Sequence, residues 1–376
     1  MIVNQRIYFD HAATTPMSPL ALAEMHKVGS ELFANPSSIH MDGSKVKSYI
    51  EESRKIISRN FGVSASQLFF TSGGTEAINT VIRSLVMDQK IQNIFLSPID
   101  HPAVINSVVY YAQYFKIAHS FLKTNHFGKI LEEDLIHQLQ NAKGQSLVCI
   151  IHTNNETGAI HDIESLCKVS KEYNAWVLAD TVQSVGTMQL DFLKMGVDFA
   201  CASAHKFNGP KAVGFLYASD PNLLKAFFMG GGQERNLRAS TENIMGIAGM
   251  KIAMEEAMTQ LEERKIKVLE LHQLMRSELL KLDGNIQFNT PTENFHPKIL
   301  SVHFDFGPHS EFLLMNLDIA GISASGGAAC SSGSEKASHV LAHLRPGQTG
   351  KTIRFSLSHL NTKEEVQVLI DLLRKL

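Results

Sequence analysis

The chain has 376 residues, 44% of them hydrophobic, and a formal net charge of −2. That length supports a large core and implies two domains, or one large α/β domain with an appendage. Near-neutral charge gives no electrostatic footprint for nucleic acid or an anionic membrane, and no apolar run approaches the roughly 20 residues of a membrane helix. Met1 to Asp10 lack the charged, apolar and small-residue regions of a signal peptide. Cys149, Cys167, Cys201 and Cys330 show no Cys-x-x-Cys spacing, so neither a disulfide framework nor a zinc site is expected. The expected location is the cytoplasm.

The chain opens with a short apolar strand, then Tyr8-Phe-Asp10-His-Ala-Ala-Thr-Thr15-Pro16. Thr-Thr-Pro is expected to cap a helix over Leu20 to Leu32. Asn35-Pro-Ser-Ser38-Ile-His40 reads as a loop by its Pro and Ser content, ahead of a helix over 43–60. From Gln67 an apolar strand runs through Phe70 into Gly73-Gly74-Thr75, and helical spacing follows at Ala77, Val81 and Leu85. Free N–H groups at a helix N-terminus, with glycines allowing close approach, suit a phosphate. Thr75 adds a hydroxyl; a plain strand–turn–helix link fits the same residues.

Another strand, Asn93 to Ser97, precedes Asp100-His101-Pro102, and a histidine there could lie against an aromatic cofactor or serve structure alone. The apolar run from Ser146 to His152 enters Thr-Asn154-Asn155-Glu156-Thr-Gly158, amides suited to polar contacts with cofactor or substrate. Two further runs share one shape. Ala175 to Ala179 ends in Asp180-Thr-Val-Gln183, and Phe199 to Ala202 ends in Ser203-Ala-His205-Lys206. Short apolar runs of this kind read as buried strands of a parallel sheet, and ligands of open α/β sheets sit beyond the strands' carboxyl ends. Asp180 and Lys206 then project into one crevice. A lysine that forms a Schiff base and a carboxylate that pairs with a pyridinium nitrogen suit pyridoxal phosphate; an ordinary ion pair is the competing account.

The strand–helix–strand pattern over 62–217 implies an α/β fold with a mainly parallel sheet. Gly230-Gly-Gly232-Gln-Glu-Arg235-Asn-Leu-Arg238-Ala-Ser-Thr241-Glu-Asn243 is a glycine-rich, basic loop that could reach another phosphate oxygen. A long helical stretch over roughly 244–282 connects to strands over Ile299 to Phe304 and Thr352 to Leu357, with helices over Ser310 to Leu317 and Thr362 to Leu373. These suggest a smaller α+β domain. Cys330 lies among glycines and serines, where a thiol can travel and act as a nucleophile, whereas Cys149 and Cys201 sit in apolar strands and read as inert core. Arg354, in a strand-like apolar run, needs a partner: a substrate α-carboxylate or a structural counter-charge.

Taken together, the motifs at Tyr8 to Thr15, Asn35 to Ser38, Thr71 to Asn79, His101-Pro102, Asn154 to Gly158, Asp180 to Gln183, Ser203 to Lys206, Gly230 to Asn243, Cys330 and Arg354 resemble the fold-type I pyridoxal-phosphate enzymes, specifically cysteine desulfurases of the NifS/IscS type. The resemblance implies a seven-stranded, mainly parallel sheet in a large domain over 16–260, and a small domain from 1–15 and 261–376. Lys206 would carry the cofactor and move the Cα proton, Asp180 would hold the pyridinium nitrogen, and Gln183 the phenolic oxygen. His101 would stack on the ring and assist proton transfer. Gly74, Thr75, Ser203 and His205 would surround the phosphate, and Thr241 would reach the phosphate of the other subunit of a homodimer. Asn155 and Arg354 would hold the carboxylate of L-cysteine. Cys330 would accept the sulfur and pass it to partners such as an iron–sulfur scaffold or a tRNA-thiolation protein. The alternatives are a selenocysteine lyase or another lyase on the same scaffold, and a non-catalytic binding platform. His11 stands where the family commonly has asparagine, and Ala204, Ala212 and Ser240 where it often has glycine. These departures remove no reacting group.

Overall fold

The computed structural model describes residues 6–326 and 338–375. After β1 (Ile7–Tyr8), seven strands form the central sheet: β2 (Leu68–Thr71), β3 (Asn93–Leu96), β4 (Ala118–Phe121), β5 (Ser146–Ile151), β6 (Trp176–Asp180), β7 (Phe199–Ser203) and β8 (Gly214–Ala218). Their spatial order is β2-β8-β7-β6-β5-β3-β4. The five strands β3 to β7 are parallel to one another, while β8 runs antiparallel to both β7 and β2. Helices cover both faces, which is why β5, β6 and β7 read as unbroken apolar runs and not as an alternating pattern.

Alternate residues of each strand enter different cores. Val148, Ile150, Val177, Ala179, Ala200 and Ala202 join one cluster. Leu147, Cys149, Leu178, Phe199 and Cys201 join the other. Helices α1 (Pro19–Glu31) and α2 (Met41–Arg59) lie on the first side, α3 (Gly74–Met87) and α4 (Pro102–Phe115) on the second. Cys149, Cys167 and Cys201 are all buried, and burial pushes each thiol up, which suits the inert role expected of Cys149 and Cys201.

A third cluster gathers Phe9 with Val268, Leu271, Val302, Ile353, Phe355 and Leu369. Its scaffold is the antiparallel sheet of β9 (Asn285–Phe288), β10 (Ile299–Asp305) and β12 (Lys351–Ser356), in the order β12-β10-β9. β11 (Ile322–Ser323) pairs in parallel with β1, which ties the chain's beginning to its last third.

Three local expectations need correction. Helix α1 is capped by Ser18, whose Oγ accepts from the Leu20 and Ala21 amides, and not by the Thr-Thr-Pro segment. Thr15 instead donates to the His205 carbonyl and accepts from the Asn208 amide. The helical stretch over 244–282 is two helices, Ile244–Thr259 and Leu261–Leu279, separated at Gln260, whose ψ of 13° breaks the helix. The stretch Ser310 to Leu317 is a 3-10 turn, Gly307–Phe312, followed by the helix Leu313–Ile319.

Candidate active site

The last residues of β5, β6 and β7 finish along one edge of the sheet, since Asp180 stands opposite Ile151 on one side and Cys201 on the other. Beyond that edge lies a cavity of about 210 Å³. From β2 the chain turns through Gly73 into α3, and the turn depends on glycine twice. Gly73 has a φ of +148°, and a Cβ on Gly74 would stand 2.6 Å from Val182 Cγ2. The Gly74 amide donates to Ser203 Oγ at 2.8 Å, which joins the start of α3 to the end of β7. Thr75 lines the cavity from the first turn of α3, where unpaired amides and the helix dipole favour an anion.

Asp180 closes β6, and its Oδ1 accepts from the Val182 amide at 3.0 Å. His101 caps α4: its Nδ1 accepts from the Ala103 amide at 3.1 Å. Burial lowers the His101 pKa, and the charges of Lys206 and His339 add to that while Asp180 opposes it. The ring is therefore neutral with its proton on Nε2, the tautomer that leaves Nδ1 free to accept. Lys206 ends the tight turn Ala204–Lys206 directly after β7, and its Nζ donates to the Ala12 and Ala13 carbonyls at 2.7 and 2.9 Å. His205 Nδ1 lies 3.2 Å from Thr14 Oγ1, and burial with the nearby charges of Lys206 and Lys298 lowers its pKa to about 4. Gln183 Nε2 donates to the Ala12 carbonyl at 2.9 Å, while its buried Oε1 has no partner among the described residues.

The two neighbouring amides after β5 divide their work. Asn154 is structural: its Oδ1 accepts from the Glu156 and Thr157 amides, and its Nδ2 donates to the Ile99 carbonyl. Asn155 lines the cavity and offers its carbonyl to Arg354 Nη1 at 2.8 Å. Arg354 is 1% exposed and also donates from Nη2 to Asp10 Oδ1 at 2.8 Å. Its Nε is buried without a partner among the described residues.

The family profile of class-V aminotransferases matches residues 7–369. The chain belongs to the class-V aminotransferase family. It is similar to the cysteine desulfurase IscS of Dictyoglomus turgidum, with 34% identity covering 100% of this chain and 95% of the relative. It is also similar to the putative cysteine desulfurase IscS 1 of Bacillus subtilis, at 34% identity over 96% of both chains. Among solved structures, a NifS-like protein superposes with a TM-score of 0.90 at 32% identity over 98% of each chain.

In this class-V chain Gly74, Thr75, His101, Asn155, Asp180, Gln183, Ser203, His205, Lys206 and Arg354 all line the one cavity. Thr241 does not; it is exposed. Cys330 lies outside the described residues. The basic loop is not free to meet a phosphate within this chain: Arg238 pairs with the buried Glu76 at 3.1 Å, and Arg235 with Glu51 at 3.1 Å. Two of the family's usual glycine positions demand positive φ here, and Ala212 (+57°) and Ser240 (+94°) adopt it. His11 is buried, with its pKa lowered to about 3 by burial and the charge of Lys298. Sequence reading gave no role to Asp10, although the motif containing it was visible, nor to Lys298, which precedes β10 without any local signature.

Proposed function

We propose that this chain is a pyridoxal-phosphate-dependent cysteine desulfurase that converts L-cysteine to L-alanine and takes the sulfur onto Cys330 as a persulfide. The observation that carries the reading is the convergence of Lys206 and Asp180, from the ends of adjacent strands, with the Gly74 turn in one cavity. The residues present fit the cofactor. Gln183 Oε1 is a buried polar atom without a partner among the described residues, and the second Nε2–H of this amide, the first being given to the Ala12 carbonyl, would serve a phenolic oxygen. Asp180 has its Oδ1 held by the Val182 amide, at a strand end suited to a pyridinium nitrogen. A side chain at Gly74 would collide with Val182 Cγ2 at 2.6 Å, so glycine there is what lets the α3 N-terminus, suited to a phosphate, sit against the end of β7. When bound, pyridoxal phosphate supplies an electron sink for a substrate Cα–H bond.

The chain's own residues then divide the work. Lys206, whose Nζ donates to two backbone carbonyls here, would carry the cofactor and, when released from it, would remove the Cα proton. His101, neutral with its proton on Nε2, would stack on the cofactor ring and assist proton transfer by donating a hydrogen bond without adding charge. Ser203, His205 and Thr75, which line the cavity with the first turn of α3, would hold the cofactor's phosphate. Arg354 and Asn155 take the substrate carboxylate, and Arg354 divides its N–H groups between that carboxylate, Asp10 Oδ1 and the Asn155 carbonyl. The Cys330 thiolate attacks the substrate sulfur: an S–S bond forms, the Cβ–S bond breaks, and a proton reaches the departing carbon. One L-cysteine and one thiol give one L-alanine and one persulfide.

The same reading assigns a large domain to 16–260 and a small domain to 1–15 with 261–376, consistent with the separate cluster that contains Phe9 and Leu369. It makes the protein a homodimer, with Thr241 reaching the other subunit's phosphate. The exposed Phe33, Ile39, Met41 and Met229 are apolar surface that such a partner would cover. The sulfur would pass to an iron–sulfur scaffold or a tRNA-thiolation partner in the cytoplasm. Among the described residues no helix is long and apolar enough to cross a membrane, and no group of side chains forms a metal site.

The test is to incubate purified protein with L-cysteine and a reductant and to quantify alanine and sulfide together. Equal amounts, lost in Lys206→Ala and with sulfide lost in Cys330→Ala, are expected. Sulfide release at the wild-type rate from Cys330→Ala would defeat the persulfide route.

A further inference from the structure

A second cavity, about 530 Å³, shares only Lys206 with the first. Its walls are largely apolar: Phe207 after the Lys206 turn, Leu261, Val268 and Leu269 from the helix Leu261–Leu279, and Phe295. Into this lining the chain sets Lys298, a lysine only 4% exposed. Its Nζ donates to the Lys206 carbonyl at 3.1 Å. An ammonium has three N–H groups, and the other two meet no acceptor among the described residues.

The neighbours of Lys298 do not neutralise it. Arg354 and, in the cofactor-free chain, the Lys206 ammonium are positive, and with burial as the larger cause they hold its pKa down to about 7. Asp10 opposes them but is committed to Arg354 and Ser325. His296 and His359, which also line the cavity, are neutral at pH 7, with pKa values lowered to about 3 and about 4. Arg264 and Lys265 add further positive charge against the single carboxylate of Glu262. A buried cation without a counter-ion is costly and shifts toward its neutral form, and an anionic ligand beside it would offset that cost. The cavity's volume falls in the range of small-molecule sites, and its pattern is an apolar lining with one fixed polar anchor.

We propose that this cavity binds a small organic carboxylate, with the carboxylate on Lys298 Nζ and the hydrocarbon part against Phe207, Val268, Leu269 and Phe295. A bare inorganic anion would keep its hydration and leave the apolar walls unused, whereas an alkyl or aryl carboxylate satisfies both. The site is distinct from the Asp180 cavity, so its occupancy stands or falls separately from the activity proposed above.

Octanoate is the probe, titrated calorimetrically into the full chain as purified, with octanol and sodium sulfate as the neutral and inorganic counterparts. Octanoate should bind more tightly than either. Lys298→Met should weaken octanoate by about tenfold or more, the worth of a charge-assisted hydrogen bond, while Lys298→Arg retains it. Lys298→Met exchanges a buried, uncompensated charge for an apolar chain of similar length, so its melting temperature should hold or rise. Should that variant fail to fold, Leu269→Trp, which fills the cavity without altering charge, should abolish octanoate binding. Absence of octanoate binding overturns the proposal. So does equal affinity in Lys298→Met, or octanol or sulfate binding as tightly as octanoate.

Discussion

Replacing Asp10 by asparagine keeps the side chain's shape and removes the only carboxylate paired with Arg354 among the described residues. Arg354 would then lose its charged acceptor at 2.8 Å, keep the Asn155 carbonyl at 2.8 Å, and still lack a partner for Nε. Breaking a buried ion pair from one side costs about 3–5 kcal/mol. The Asp10 side chain is 17% exposed, so water recovers part of that, and the lower end, about 3 kcal/mol, applies. With a urea slope of about 3 kcal/mol per molar, the unfolding midpoint should fall by about 1 M. Urea unfolding followed by far-ultraviolet circular dichroism on Asp10→Asn, Arg354→Met and the double variant measures this directly. The double variant should be more stable than the sum of the single losses, because it leaves no uncompensated charge. A midpoint within about 0.2 M of wild type for Asp10→Asn, with additive losses in the double variant, would refute the assignment of Asp10 as the counter-charge of Arg354.

Acidification should destabilise the fold. Burial lowers His152, His161, His205 and His272 to about 4, so between about pH 6.5 and pH 4 the unfolded chain binds more protons than the folded one, and stability present above that window is lost as pH falls through it. Asp100, raised to about 8 by burial, acts in the opposite sense but is outnumbered. A melting temperature at about pH 5.5 equal to or above that at about pH 7.5 would contradict this. Ser240→Gly should stabilise by about 1 kcal/mol, because it relieves a serine held at φ +94° at the cost of glycine's extra unfolded-state entropy; thermal melts check the sign. Gly74→Ala must push its Cβ away from Val182 Cγ2, 2.6 Å from the ideal position, and so displace the start of α3. Cofactor retention after dialysis, read by visible absorbance, should weaken by about tenfold, and unchanged retention would remove the Gly74 turn from the cofactor cradle.

The legible part of this protein is the part written in short stretches of chain. An apolar run ending in a charge marks a buried strand end, and that local pattern located Asp180, Lys206 and the Gly-Gly turn before any tertiary contact was known. The parallel character of β3 to β7 followed from the same runs, since strands buried on both faces lack alternation. Less legible was anything that depends on two distant segments meeting. Asp10 and Arg354 are 344 positions apart, Arg238 and Glu76 are 162 apart, and Lys298 and Lys206 are 92 apart. No periodicity encodes such pairs. Arg235 and Arg238 looked available to a phosphate because their carboxylate partners lie in α2 and α3, far along the chain. The break at Gln260 carries neither proline nor glycine, so no local signal announced it. Strand ends follow from hydrophobic pattern because burial acts on each residue where it stands. Which charges neutralise one another, and which buried lysine has no counter-ion among the described residues, is set by packing, because Coulomb and hydrogen-bond energies depend on distances that only the folded chain defines.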